Sequence, residues 1–164
     1  NALKSGQEPS LTMTDRHFIE IDLHVPALIP NDYLPDVHTR LVLYKRIAAA
    51  SDNDALRELQ VEMIDRFGLL PEQVQTLFAI HELRFKAKAI GIRKIDVYDQ
   101  GGRIIFEQEP NIEPMTIIQL IQSKASQYKL DGQDKLRFTE FMPEAEDRLL
   151  ALNQLLDDLQ KPDE

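Results

Sequence analysis

The sequence predicts an α+β fold: an N-terminal strand, a helical half of three helices, then antiparallel β-hairpins with two further helices. Three observations carry that expectation. Apolar residues at period two occur in short runs that can pair with near neighbours. Apolar residues at helical spacing fill the stretches between them. No strand–helix–strand rhythm repeats, which separates the chain from doubly wound parallel sheets.

Residues 1–16 are polar, contain Pro9 and lack a period, so they read as a tail or linker before one domain at 17–164, with lobes expected at 17–91 and 92–160. Leu3–Gln7 reads as the tail of a helix stopped at Gly6, as in a domain excised from a longer chain. Ile19, Ile21, Leu23 and Val25 alternate with Glu20, Asp22 and His24, the pattern of a half-buried strand. Pro26, Pro30 and Pro35 then hold Ala27–Leu34 as an extended loop, because the residue before proline is pushed out of the helical region.

Three helices follow. In the first, Val37, Leu41, Tyr44 and Ala48 form a stripe widened by Leu43 and Ile47. The second is expected to start with Ser51 as N-cap and Asp54 in its first turn, to bury Leu56, Leu59, Met63 and Phe67, and to stop at Gly68. Pro71 opens the third, where Val74, Leu77, Phe78, His81 and Phe85 line one side and Gly91 ends the run. Ile95 and Val97 then alternate with Asp96 and Tyr98. A turn at Asp99-Gln100-Gly101-Gly102 leads to a second strand at Arg103–Glu107, making a hairpin. Pro114 opens a helix carrying Ile118, Ile121 and Ala125. A second hairpin joins Tyr128–Leu130 to Leu136–Thr139 around Asp131-Gly132. The last helix starts near Pro143, with Leu149, Leu152, Leu156 and Leu159 on one face.

Composition excludes several function classes. Apolar residues make up 43% of the chain, enough for a core, while acids outnumber bases 28 to 19 for a net charge of −9. Such a body repels phosphate backbones, so nucleic-acid binding by the chain alone is not expected. There is no Cys, which removes disulfides, thiolate metal sites and a cysteine nucleophile and fits a reducing, cytoplasmic location. No apolar run approaches the ~20 residues of a membrane span, and the N-terminus has no signal-peptide core.

No catalytic pattern is visible. Phosphate-binding glycine loops are missing, and Gly101-Gly102 sits in a hairpin, so no nucleotide cofactor is expected. The histidines His17, His24, His38 and His81 are scattered; His17 and His24 point to opposite faces of a strand, and His81 lies on the apolar side of its helix, so no metal is expected. No Ser or Thr has a His-and-acid context. The polar group that stands out is Glu62, Asp65 and Arg66, spaced i, i+3, i+4 so that the side chains lie together at the end of the second helix. Spacing alone leaves two readings open, an intrahelical Glu62–Arg66 pair and a contact with a partner surface. A second basic group, Arg84, Lys86, Lys88, Arg93 and Lys94, is a local exception to the acidic body.

The run Ile29-Pro30-Asn31-Asp32-Tyr33-Leu34-Pro35-Asp36-Val37, then Thr39-Arg40-Leu41 and Tyr44-Lys45-Arg46-Ile47-Ala48, resembles the C-terminal domain of bacterial transcription-repair coupling factors (the Mfd or TRCF family). So do Glu62-Met63-Ile64-Asp65-Arg66-Phe67-Gly68-Leu69-Leu70-Pro71 and Gly91-Ile92-Arg93-Lys94-Ile95. The resemblance covers about Glu20 to Phe138. It implies a parent that is an ATP-driven double-stranded DNA translocase, displacing stalled RNA polymerase and recruiting excision repair, with its motor upstream. It further implies that this domain is regulatory: it docks on the UvrB-like N-terminal module of the same protein and masks the surface that binds UvrA. On that reading Glu62, Asp65 and Arg66 are the docking group. The alternative is a DNA-contacting accessory domain using Arg84, Lys86, Lys88, Arg93 and Lys94.

Overall fold

Four helix ends fall where a side chain or a glycine takes up the end of the backbone ladder. The computed structural model describes residues 19–160, so the tail, the helix end at Gly6 and the orientation of His17 lie outside the described residues. Helix α1 (Val37–Ala49) is capped by Asp36, whose carboxylate accepts from the Thr39 amide at 3.0 Å. Helix α2 (Asn53–Phe67) is capped by Asp52, which accepts from the Ala55 amide at 2.8 Å, so the cap is one residue later than Ser51. Gly68 ends α2 at φ 99°, and Gly91 ends helix α3 (Glu72–Ile90) at φ 94°, conformations that strain any residue with a Cβ.

Strands β1 (Glu20–Asp22), β2 (Ile92–Tyr98), β3 (Gly101–Phe106), β4 (Tyr128–Leu130) and β5 (Lys135–Thr139) form one sheet in the order β1-β2-β3-β5-β4. Helix α4 (Pro114–Ser123) lies between β3 and β4, and helix α5 (Ala145–Leu159) follows β5. The hairpins pair antiparallel, as expected, and the fold is α+β. Strand β1 pairs parallel with β2, Ile21 opposite Ile95, across the three intervening helices. It is also shorter than the alternation suggests, because His24 turns to φ 55° just past its end.

Gly101 and Gly102 lie inside β3 rather than in the turn. A Cβ on Gly101 would overlap the Phe138 carbonyl, and one on Gly102 would come within 2.7 Å of the Asp96 carbonyl. Close strand approach therefore explains this pair, and the turn itself is Asp99-Gln100.

The buried side chains form two clusters. The first gathers Ile29, Leu34, Leu43, Ile47, Leu56, Leu59, Met63, Val74 and Phe78 from the proline loop and the helices. The second joins the sheet to α5 through Ile95, Val97, Ile104, Leu136, Leu152, Leu155 and Leu156, among others. Helix α3 belongs to both: Val74 and Phe78 enter the first, Leu83, Ala87 and Ile90 the second. Two stripes differ from expectation. Helix α1 buries Leu43 and Ile47 while Val37 and Leu41 stay more than half exposed. Helix α4 buries Leu120, with Ile117 and Ile121 packed behind it, leaving Ile118 outward and Ala125 beyond the helix. In both helices apolar residues occupy more of the circumference than the neighbouring elements cover, and packing selects the face.

Candidate docking surface at the end of helix α2

The end of α2 is held by the proline loop. The Ile29 amide donates to the Tyr44 hydroxyl at 2.6 Å, Arg40 donates to the Leu34 carbonyl at 2.6 Å, and the Tyr33 hydroxyl donates to the Gly68 carbonyl at 2.9 Å. The Tyr33 ring meets Phe67 edge-on, with centroids 6.2 Å apart. The proline-loop, α1 and 62–71 runs that carry the family resemblance thus meet at one seam, which positions the last turn of α2. Ile92 and Ile95, of the 91–95 run, belong to the other cluster.

On that turn, Glu62 is engaged from two sides. Arg46 of α1 grips both its oxygens at 2.7 Å, and Arg66 reaches Oε2 at 3.0 Å. The Arg46 hydrogen bonds, opposed by some desolvation and helped by Arg66, hold the Glu62 carboxyl far below the usual range, at about 2. Both open readings of the triad bear on this site: the Glu62–Arg66 pair exists, and it leaves the rest of Arg66 available. The Arg66 guanidinium also stacks 4.7 Å over the Phe67 ring. The Asp65 side chain is exposed and makes no ion pair or hydrogen bond among the described residues. Two features went unpredicted. Arg46 comes from another helix, so no spacing rule finds it. Leu69, which follows Gly68, is 84% exposed, while its neighbour Leu70 packs against the first cluster.

The second basic group does not gather into one free face. Arg84 donates to the carbonyls of Ala48 and Ala50, Lys86 pairs with Asp157 at 2.6 Å, Arg93 approaches Asp134 and Lys94 approaches Glu20. Lys88 alone of the five has no such partner among the described residues. His81 is half-buried with Nδ1 unpartnered, and burial, with the Arg84 charge beside it, pulls its imidazole down to about 4.

Among the described residues, one group has metal-ligand chemistry: Asp22, His24 and Asp96, whose ligand atoms lie within 4.8 Å of one another. Its geometry is that of a polar clamp between β1 and β2. His24 Nε2 sits 2.7 Å from Asp96 Oδ1, and Arg103 approaches the other Asp96 oxygen at 3.4 Å. Behind it, Arg148 is 8% exposed and has no carboxylate partner among the described residues. Its guanidinium donates instead to the carbonyls of Met142, Leu23, His24 and Pro143, tying the end of β1 to the start of α5.

The fold and this surface define a small α+β domain with two shared cores and an interlocked, charged helix end. Comparison with known proteins places it more closely. The TRCF domain family model matches residues 23–117. The chain is 41% identical over 161 residues to the transcription-repair-coupling factor of Escherichia coli K12, and 44% identical over 155 residues to that of Haemophilus influenzae. These alignments cover 98% and 94% of this chain but 14% of each relative's length. A crystal structure of the C-terminal domain of a transcription-repair coupling factor superposes with a TM-score of 0.68, covering 87% of this chain and 94% of that one at 22% identity. The chain belongs to the transcription-repair-coupling factor family and has the fold of its C-terminal domain.

Proposed function

We propose that this chain is a non-catalytic regulatory module of a transcription-repair coupling factor, docking through the end of α2 on the UvrB-like N-terminal module of its parent and masking the UvrA-binding surface. The parent, on this reading, displaces stalled RNA polymerase from DNA during transcription-coupled excision repair. One observation carries the site assignment: Asp65 is exposed, makes no ion pair among the described residues and lies beside Arg66, whose position is set by Glu62 and Phe67. A preorganised acid and base next to an exposed Leu69 suit a contact that must form and reopen. Glu62, already gripped by Arg46, acts as the brace of the group rather than as its outer face. Intramolecular docking needs only modest affinity, because tethering raises the effective concentration.

Asp65→Ala or Arg66→Ala in the full-length parent is expected to raise UvrA capture on the order of fivefold. Unchanged capture, with circular dichroism showing an intact fold, would count against the reading. The DNA-contact alternative is weakened by the internal partners of Arg84, Lys86, Arg93 and Lys94. A salt-dependent gel shift by the isolated chain at physiological ionic strength would revive it.

A further inference from the structure

Phe141 and Leu150 are large apolar side chains left 70% and 72% exposed. Both line a groove of about 550 Å³ between the α4–β4 turn, the end of β5 and α5. Leu150 also lines a second hollow of about 600 Å³, on the side of α5 that faces α3. It stands as a ridge between the two, on a helix whose core face is already supplied by Leu152, Leu155, Leu156 and Leu159.

The rims of both hollows are acidic. Glu140 and Asp158 border the first, Glu82 and Glu146 the second, and among the described residues none of the four is ion-paired. Of the bordering cations, Lys86 is taken by Asp157, which leaves Lys124. An apolar centre inside a predominantly acidic rim is selective about its occupant. Phosphate backbones and anionic bilayers are repelled, and a second copy of this chain, itself at −9, would bring the same acids face to face.

We propose that this face is a second docking site, for a basic amphipathic segment of a partner protein. One or two apolar side chains of that segment seat against Phe141 and Leu150, and Lys or Arg lies opposite Glu82, Glu140, Glu146 and Asp158. The site is separate from the end of α2: it lies on the other apolar cluster, and Phe141 and Leu150 fall outside residues 23–117 that the family model matches. It therefore stands whether or not the α2 surface masks UvrA binding.

The probe is a synthetic helical peptide of about 18 residues with Leu and Phe on one face and Lys on the other, alongside a counterpart with Glu for Lys. Each is titrated into the isotope-labelled 164-residue chain and followed by amide NMR. Chemical-shift changes are expected to cluster around Gln127, Phe141 and Leu150. Phe141→Ser and Leu150→Ser should each raise Kd about tenfold, while Leu69→Ser, at a still more exposed position that lines neither hollow, leaves it within about twofold. Raising salt should weaken binding severalfold. The proposal is overturned if no binding is seen at millimolar peptide, if the Glu peptide binds as well, or if shifts spread over the body. A response to Leu69→Ser rather than Leu150→Ser would also overturn it. So would sedimentation showing a dimer that Phe141→Ser dissolves, since the occupant would then be a second copy. All three positions are exposed, so the variants are expected to fold, which circular dichroism checks.

Discussion

The helical region around the first cluster and the sheet region around the second are held together by different means. In the first, the backbone of a proline-rich loop is tied down by side chains: Tyr44 to the Ile29 amide, Arg40 to Leu34, Tyr33 to Gly68. In the second, backbones approach until no Cβ fits, at Gly101 and Gly102, and a buried arginine satisfies carbonyls from two segments. The contrast teaches where variation is tolerated. Side-chain ties can be lost one at a time, whereas a strand pair that has no room for a methyl group fails as a unit.

The comparison breaks most sharply at Gly101. Gly101→Ala adds a Cβ into the Phe138 carbonyl at a backbone φ of 151° and is expected to cost about 3 kcal/mol or more, seen as a large fall in the urea midpoint. Next is Arg148→Met, which keeps the aliphatic stem but strips the carbonyls of Leu23, His24 and Met142 of their donor. A loss of about 2–3 kcal/mol is expected by chemical denaturation, with hydrogen exchange rising in β1. Tyr44→Phe in the helical region removes one acceptor from the Ile29 amide and should cost about 1–2 kcal/mol by the same measurement. A Tyr44→Phe loss exceeding that of Gly101→Ala would reverse the ranking of the two regions.

The smallest effect is the pH response of the docking surface. The Glu62 carboxyl falls from an ordinary 4.5 to about 2 in the folded chain. A carboxyl depressed on folding contributes stability above its unfolded pKa and loses it as the pH falls through the folded one, here between about 4.5 and about 2. Carboxyl NMR should place the Glu62 midpoint near 2, and Arg46→Met should return it toward the ordinary range. A midpoint unmoved by that substitution would remove Arg46 as the brace of the surface.

Local chemistry made much of this molecule legible from its residues. The period-two run at β2, the hairpin of β4 and β5, the glycine stops at Gly68 and Gly91, and the leucine spacing of α5 each depend on neighbours within a few positions, and each is where it was expected. The i, i+3, i+4 spacing likewise placed Glu62, Asp65 and Arg66 on one turn. What required the tertiary structure was every choice among faces and every partner distant in sequence. Val37 and Leu41 looked as apolar as Leu43 and Ile47, and only the packed neighbours decide which pair is buried. Arg46 meets Glu62, His24 meets Asp96, and Arg148 meets Leu23 across 16, 72 and 125 positions. A linear chain encodes its own turns and periods directly, because those follow from bonded geometry. Which surfaces then cover one another depends on how all the elements fill a common volume, and no single segment carries that information.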